Sequence, residues 1–460
     1  MRPAVAIAGV ALSMWAPPIQ ADTLEGALVL AYQNNPSLNS QRASVRATDE
    51  GVPQALSGYR PKVTVNGSVG SQYLDTTTRT STLAPTYTQL SGNMTPSNVG
   101  ITATQTLYNG FQTANKTRQA ESQVQAARET LRVTEQTVLL NAVTAYMNLL
   151  RDGAILDLQR RNVEVLQEQL RQTRDRFNVG EVTRTDVAQS ESRLASGRSQ
   201  VLSAEATYKA SVATYRQVIG VEPGKLAPGS PVDRFSPSNL VGAIGVGTAS
   251  HPAVTSAQYN VDAALLQVKI AEGALYPTLS LQGNVQQGYE IGLLQLKQFN
   301  ASVLGQLTVP IYQGGAEYSL IRQAKETLGQ QRLTLDTARD QVRQTVVQSW
   351  GQLDAAKANI EATQAQVQAS EIALNGVREE ARVGQRTTLD VLNAQQELVN
   401  ARVALVSAQR DRVVASYTLL ASVGRLSPQV LGLRVPVYDS NVHYQQVRDS
   451  WAGVRTPDGR

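Results

Sequence analysis

Residues 176–187 read RFNVGEVTRTDV, and residues 381–391 read ARVGQRTTLDV. The two stretches align at a spacing of 204 residues, so that Asp186 corresponds to Asp390. In each stretch a Val-Gly pair follows a long helical pattern, and a glycine just after a periodic run indicates a helix end. Each stretch therefore predicts a sharp turn between two antiparallel helices.

The runs on either side of these turns predict unusually long helices. Before the turns, 113–178 and 317–382 contain no proline and have helical periodicity. At 1.5 Å per residue each run would extend about 100 Å, which no globular domain needs. After the turns, 186–219 and 388–423 return, and the second has alanine at heptad spacing. Small residues at this spacing allow the helices to approach closely. A heptad repeat is also typical of fibrous coiled coils, so the helices alone would fit that class of protein as well.

The chain is internally duplicated. NNPSL at 34–38 matches SHPAV at 250–254, and YRPKVTVNGSVG at 59–70 matches LYPTLSLQGNVQ at 275–286, both at a spacing of 216 residues. The change from 216 to 204 indicates that 12 residues are deleted between the strands of the second copy, where a loop tolerates the loss. The predicted organisation is a first repeat at 22–220, a Pro- and Gly-rich connector at 221–247, a second repeat at 248–424 and a polar C-terminal tail at 425–460.

Each repeat also contains a predicted pair of strands. The strand pairs are predicted at 62–108 and 278–312. Within their strands, apolar and polar residues alternate with a period of two. Runs of this kind suit membrane strands, which need about 9–11 residues. The link at 75–96 is rich in Thr and Ser and predicts an exposed loop. The strands alone fit a water-soluble antiparallel sheet equally well.

Composition narrows the class of function. Charged residues make up 17% of the chain, and the net charge of +5 is spread without a basic block, so nucleic-acid binding is not indicated. The absence of cysteine excludes disulfides, thiol catalysis and a lipid anchor on an N-terminal cysteine. His251 and His443 are the two histidines, too few for a His-based metal site or triad. With no cofactor motif either, the sequence does not indicate an enzyme.

The N-terminus predicts a secretory signal peptide at 1–21. Arg2 precedes the apolar stretch VAIAGVALSMWA, and the small residue Ala21 offers a cleavage site. The apolar run is too short to anchor the chain across a bilayer of about 30 Å. No later stretch reaches 18 consecutive apolar residues, so any membrane crossing has to be made by strands.

Four strands per chain do not suffice for a membrane barrel. The smallest natural barrels have about eight strands, and open strand edges in lipid leave backbone groups without hydrogen bonds. The strands of several chains must therefore be pooled. Three chains would give twelve strands and a lumen wide enough for water, but a dimer or tetramer is also compatible with the sequence.

With these features the chain resembles the TolC family of outer-membrane efflux proteins over nearly its whole mature length. The most specific match is VGxRTxxDVLxAQ, which this chain carries at 383–395. The resemblance implies an α+β membrane protein, in which a trimeric 12-stranded β-barrel continues into a long α-helical barrel. It also implies an equatorial belt from the connector and tail, and an exit duct for drug efflux or type I protein secretion. The expected partners are a periplasmic membrane-fusion adaptor, an inner-membrane efflux pump or ABC transporter, and outer-membrane lipid.

The resemblance further assigns a periplasmic gate to the helical turns. Asp390 falls at the position where, in the family, a ring of acidic residues narrows the periplasmic entrance. Mutual repulsion among three such carboxylates would raise their pKa. Arg386 falls on a latch arginine whose counterparts would be Thr185 and Asp186. The chain departs from the family pattern at two positions: Asn393 replaces a second acidic residue, and Ala381 replaces a latch tyrosine.

Two alternatives remain open from the sequence. Asp186 and Asp390 each begin a return helix, where a carboxylate can act as a cap and nothing more. A periplasmic coiled-coil adaptor would share the long hairpins, although it would have one hairpin flanked by compact β domains. Recovery from the outer membrane as a heat-resistant trimer distinguishes the duct from the adaptor.

Overall fold

The computed structural model describes residues 23–80, 83, 86–457 and 459. The predicted signal peptide at 1–21 lies outside these residues. The described residues divide into two compact units: unit 1 comprises 23–42, 131–254 and 339–438, and unit 2 comprises the described residues within 43–130, 255–338 and 439–459.

Helices dominate the structure. They are α1 Leu24–Asn34, α2 Pro36–Asp49, α3 Gly51–Leu56, α4 Gln112–Asn178, α5 Arg184–Ile219, α6 Leu240–Ser250, α7 Pro252–Gly273, α8 Ala316–Arg382, α9 Thr388–Ser422 and α10 Ser440–Val447. Helices α4 and α8 have 67 residues each, in the ranges where unbroken periodicity predicts them. Across the described part of the chain, no helix combines the length and the hydropathy that a bilayer crossing requires.

Among the described residues, six strands belong to unit 2. They are β1 Lys62–Val69, β2 Gln72–Arg79, β3 Tyr87–Met94, β4 Ser97–Asn109, β5 Thr278–Gly292 and β6 Gln295–Thr308. Four of them form an antiparallel sheet in the order β1-β4-β5-β6, so strands of both repeats pair through β4 and β5.

The register of this sheet separates an apolar face from a polar one. Along one row Val65 lies opposite Ile101, and Ile101 lies opposite Val285. The next row is polar, with Thr64 opposite Thr102 and Thr102 opposite Asn284. Because successive side chains of a strand point to opposite faces, the alternation seen in the sequence becomes two chemically distinct surfaces. The apolar residues remain exposed in the single chain.

The predicted loop at 75–96 is largely a ribbon of two strands. β2 and β3 pair as a separate antiparallel sheet, and Gln89 donates to both carboxylate oxygens of Asp75 at 3.0 Å. The Thr- and Ser-rich composition indicated a loop, but Thr has high β propensity and pairs well across strands. The second repeat lacks this ribbon, and its strands β5 and β6 are joined directly.

The second strand pair ends earlier than the predicted 312. β6 stops at Thr308, and Pro310 follows without a backbone N–H to donate to a neighbouring strand. The first repeat passes from strand to helix at Gly110, whose φ is +63°. A Cβ at Gly110 would come within 2.3 Å of the Gly273 carbonyl oxygen, so only glycine fits there.

The predicted connector at 221–247 is shorter than expected, because α6 begins inside it. Asn239 caps this helix by accepting from the Gly242 N–H at 2.6 Å. α6 corresponds to α1 at the spacing of 216 residues, and the predicted start of the second repeat at 248 lies within α6. The several glycines of LVGAIGVG indicated a linker, whereas the cap and close packing of Gly247 on Val342 and Val346 hold a helix.

The C-terminal tail is partly helical and packs within unit 2. The imidazole Nδ1 of His443, on α10, lies 3.1 Å from a carboxylate oxygen of Asp49, which is fully buried. Arg128 of α4 donates to the side-chain oxygen of Asn441 at 2.7 Å. Tyr444 packs against the buried cluster around Val52. These contacts order a segment whose sequence has little periodicity.

Candidate functional site

The two interhelical turns belong to unit 1 and share one backbone design. In the first, Gly180 has a φ of +83°, and in the second Gly384 has a φ of +81°. The Glu181 N–H donates to the Arg176 carbonyl at 2.9 Å, and the Gln385 N–H donates to the Glu380 carbonyl at 2.9 Å. These bonds form Schellman ends, in which a left-handed glycine lets the chain leave the helix while its last carbonyls stay bonded.

Each return helix starts with a complete capping box. Thr387 accepts from the Asp390 N–H at 3.2 Å, and the Asp390 carboxylate accepts from the Thr387 N–H at 3.0 Å and from its hydroxyl at 2.8 Å. Thr183 and Asp186 repeat the arrangement at the first turn. The structure therefore uses both aspartates as caps, as the alternative interpretation expected.

The cap also stabilises the charged form of Asp390. Hydrogen bonds from the backbone and side chain of Thr387 stabilise the carboxylate, and nearby Arg386 adds a smaller attraction, so the pKa lies below its usual value. Within one chain this effect is opposite to the increase expected for a carboxylate ring. The ring expectation concerns assembled chains and stays a prediction.

Arg386 is paired inside its own turn. Its Nε donates to Glu380 at 2.9 Å, and this partner raises the pKa of the guanidinium. The first turn has an ion pair of reversed polarity, because Arg176, the repeat counterpart of Glu380, bonds Glu181 at 2.9 Å. Both pairs are about half exposed, so solvent screens them and each stabilises its turn only weakly.

The predicted partners of Arg386 are occupied elsewhere or open to solvent. Asp186 is held in its capping box, and Thr185 is exposed on the first turn of α5. Ala381, at the position of the expected tyrosine, packs against the cluster of Leu374, Val391 and Leu398. The small side chain thus supports the α8–α9 hairpin itself.

Asn393 takes part in a contact that links the two hairpins. Arg193 of α5 donates to its side-chain oxygen at 2.6 Å. Nearby, Leu392 of α9 joins a buried cluster with Leu166 and Leu194 of the first hairpin. Asn393, at a position where the resemblance implies an acidic side chain, therefore lies beside a cation from the neighbouring helix.

Further pairs tie each hairpin across its two helices. Arg174 bonds Glu191 at 2.5 Å, and at the same repeat positions Arg378 bonds Gln395 at 3.0 Å. The second copy thus keeps the bridge but replaces the carboxylate by an amide.

Sequence reasoning named Asp186, Asp390, Arg386 and Asn393 but missed other residues that fix the turns. The caps Thr183 and Thr387 were readable, because a Thr three residues before an acidic residue at a helix start is a capping-box signature. Arg193 and Glu380 carried no such signal, since their partners are determined by packing.

The chemistry available at the turns is electrostatic. Within the described residues, no group of His, Cys, Asp and Glu could hold a metal ion. The turns present charged pairs and two exposed valines, Val179 and Val383, at 73% and 70% exposure. Such a surface can attract ions and contact a partner.

Comparisons with known proteins agree with this architecture. The sequence pattern of the family described as outer membrane efflux protein matches residues 27–221 and 247–425. The outer membrane efflux protein BepC of Brucella suis is 44% identical over 95% of this chain and 93% of its own length. The outer membrane protein TolC of Escherichia coli is 26% identical over 92% of this chain and 86% of its own. The solved structure of the CmeC outer membrane channel of Campylobacter jejuni matches with a TM-score of 0.73 at 17% identity, over 93% of this chain and 89% of that one.

Proposed function

The chain belongs to the outer membrane efflux protein family, and on that premise we propose that three copies close into one passive exit duct. Members of the family are outer-membrane proteins of a channel fold and not enzymes. In the proposed assembly, twelve strands form a barrel in the outer membrane, and the long hairpins form a helical channel in the periplasm.

The four-stranded sheet carries this proposal. It has one mainly apolar and one mainly polar face across its four strands, and β1 and β6 are its edges. Edge strands in lipid need a partner for their backbone groups, and an apolar face needs lipid. Pairing β6 of one subunit with β1 of the next satisfies both requirements and leaves the polar face toward a water-filled lumen.

Extraction of the protein from outer membranes tests the assembly. Native mass spectrometry in detergent should give the mass of three mature chains, and planar bilayers should show discrete conductance steps. Recovery as a soluble periplasmic protein would favour a coiled-coil adaptor, and a monodisperse monomer without pore activity would contradict the duct.

We propose that the two turns form the periplasmic gate, with Asp390 and Asn393 nearest the axis and Arg386, Thr185 and Asp186 at the contacts that hold it closed. The proposal is supported by the charged turns and by the weak, half-exposed pairing of Arg386, which a partner could exchange. Arg386→Ala should raise single-channel conductance. The matched change Arg382→Ala, on a side chain that bonds Glu379 on its own helix, should leave it unchanged. Equal conductance in both variants and the parent protein would remove the gate assignment.

For partners, we propose a periplasmic membrane-fusion adaptor and an inner-membrane transporter, with small-molecule efflux as the cargo class. The support is the name of BepC as an efflux protein, at 44% identity over nearly the full length. Affinity purification after cross-linking in the native cell should recover both partners. Loss of the gene should sensitise the cell to toxic compounds, and unchanged sensitivity with loss of a secreted protein would point to type I secretion.

A further inference from the structure

We infer that Trp451 of the C-terminal tail is a membrane anchor, seated in the phospholipid headgroup layer at the periplasmic end of the strands. The inference rests on the proposed function, since it requires the sheet to lie in the outer membrane. It assigns a binding role to the polar tail that follows α10. The observations that carry it are the position of the tryptophan, the way it is held, and the chemistry around it.

Trp451 is held in place although it is largely exposed. Its side chain is 72% exposed, and the Arg60 guanidinium lies 4.6 Å from the centre of its ring. Arg60 also donates through Nη1 to the Ser450 carbonyl at 2.6 Å. An exposed tryptophan gains little from burial within the chain, yet two contacts from one arginine fix its position. A ring that is both exposed and held in this way is available for contact with a surface outside the chain.

The arginine that holds the ring is itself fixed at one end of the sheet. Arg60 is followed by Pro61 and by β1, which begins at Lys62. The preceding carbonyl, that of Tyr59, accepts from the Gln105 amide of β4 at 2.9 Å. Trp451 is therefore tied to the point where the strands begin, and lipid-facing strands have their headgroup boundary at such an end.

Other exposed aromatic residues lie next to the same ends of the strands. Antiparallel pairing brings together the start of β1, the end of β4, the start of β5 and the end of β6. The aromatic residues next to these strand ends are Tyr59, Phe111, Tyr276 and Tyr312, all more than half exposed. Membrane β-barrels carry aromatic belts at both interfaces, where the ring lies at headgroup level. Trp451 adds to this row a residue from a distant part of the sequence.

The charges nearby favour phospholipid over a protein partner. Three exposed basic residues are close to the Arg60–Trp451 pair in the sequence: Lys62 is two residues after Arg60, Arg448 is three residues before Trp451, and Arg455 is four residues after it. Asp449 is the acidic residue between Arg448 and Arg455. An aromatic ring stacked on a guanidinium, with further exposed basic residues close by in the sequence, matches the phosphates and the acyl boundary of a phospholipid leaflet, as in interfacial anchors.

The chain permits a direct fluorescence test. Its tryptophans are Trp15, Trp350 and Trp451, and Trp15 lies in the stretch predicted to be cleaved. The variant Trp350→Phe therefore leaves Trp451 as the reporter in the mature protein, and Trp451→Phe leaves Trp350 in helix α8 as the matched control. Each protein is reconstituted into vesicles of phosphatidylcholine and phosphatidylglycerol, with or without lipids brominated near the glycerol end of the acyl chains.

Brominated lipid should quench most of the Trp451 fluorescence and leave that of Trp350 unchanged, while aqueous iodide should quench Trp451 weakly. Strong quenching of Trp451 by iodide and none by brominated lipid would place the tail in water or in the lumen and overturn the inference. If Trp350→Phe does not assemble, the difference between the parent protein and Trp451→Phe supplies the same signal.

Flotation and conductance separate this result from the proposed function. Protein that floats with the vesicles and conducts, but shows no lipid quenching of Trp451, overturns the anchor alone. Protein that neither floats nor conducts overturns the duct and the anchor together.

Discussion

Asp390 has a structural and an electrostatic role at the same position. Its carboxylate completes the cap of α9 through Thr387, and those hydrogen bonds lower its pKa from an ordinary value of 3.8. A group whose pKa is lowered on folding contributes stability above its unfolded pKa and loses that contribution as the pH falls through the folded value. The same hydrogen bonds that cap α9 therefore also stabilise the negative charge of Asp390 at the proposed entrance.

If the caps outweigh repulsion within the assembled ring, the conductance of the channel should be constant between about pH 8 and pH 5, and the protonation of Asp390 should change it only at pH values below the ordinary 3.8. Charges around a water-filled entrance are screened over about 8 Å at physiological ionic strength, which limits mutual repulsion. Single-channel recording across this range measures the effect. Asp390→Asn is the control, because it should remove the part of the low-pH transition that belongs to Asp390 and leave that of other carboxylates such as Asp186. A transition near pH 6 would mean that repulsion within a ring dominates over the caps.

Arg193 lies beside the proposed gate, and the sequence did not indicate a role for it there. Its bond to Asn393 joins α5 to α9 beside the turns. Arg193→Ala should loosen this link and raise conductance, and loss of the cation should also make the pore more cation-selective. The reversal potential in a salt gradient measures the second effect. Arg193→Gln, which can still donate a hydrogen bond, should shift selectivity with little change in conductance.

The exposed Arg198, five residues further along α5, provides the matched control for these measurements. If Arg198→Ala changed conductance and selectivity as much as Arg193→Ala, the contact with Asn393 would carry no special role.

The residues of the site differed in how far sequence could predict them. Asp390 and Arg386 stand in a specific motif, and the caps follow from Thr and Asp at a fixed spacing. The pairings of Arg193 with Asn393 and of Arg386 with Glu380 depend on which helix faces which. A linear pattern gives no information about that, because long side chains reach several neighbours.

At the scale of helices and strands, period and turn chemistry predicted the long hairpins well. The long runs of helical period correspond closely to α4 and α8, and the Val-Gly pairs end both helices. The β2–β3 ribbon and α6 were missed because Thr- and Ser-rich or Gly-rich composition was taken as a sign of loops. Cross-strand pairing in the ribbon, and packing of Gly247 against α8, outweighed local propensity.

Close approach of α4 and α5 gives a prediction for one element pair. Gly197 is buried, and a Cβ there would lie 2.9 Å from a Leu166 methyl and 3.4 Å from a Val163 methyl. Gly197→Val should therefore overpack the pair and destabilise it by about 1–3 kcal/mol. Thermal unfolding in detergent, followed by circular dichroism at one scan rate, should show a lower midpoint.

The control for this change is Gly376→Val in α8. Gly376 is exposed, and a Cβ there would meet nothing within 4 Å, so the midpoint should stay close to that of the parent protein. If the two variants melted together, the contact of Gly197 with α4 would not limit the packing of the hairpin.

At the scale of the whole molecule, duplication explains why one chain holds two versions of each part. Repeat-equivalent positions keep the bridge across a hairpin while its chemistry changes from Arg174–Glu191 to Arg378–Gln395. In a proposed ring of three chains the two kinds of hairpin would alternate around the axis. Only the α8–α9 hairpin carries Arg386, so the gate of a trimer would contain three such arginines and not six.

Threefold chemistry predicts the outcome of cross-linking at Asp390. The natural chain has no cysteine, so Asp390→Cys introduces one thiol per subunit without side reactions. If three such residues face one axis, mild oxidation should convert the protein to disulfide-linked dimers plus residual monomer, because one disulfide joins two chains and leaves the third unpaired. A short bis-maleimide should give the same product if the Cα atoms lie beyond disulfide reach of about 7 Å. Val442→Cys, on the exposed side of α10, should stay monomeric under both reagents. Monomer alone from Asp390→Cys, in a preparation whose native mass is that of a trimer, would mean that the second turn points away from the axis, since subunits that share a narrow entrance must bring equivalent residues close together.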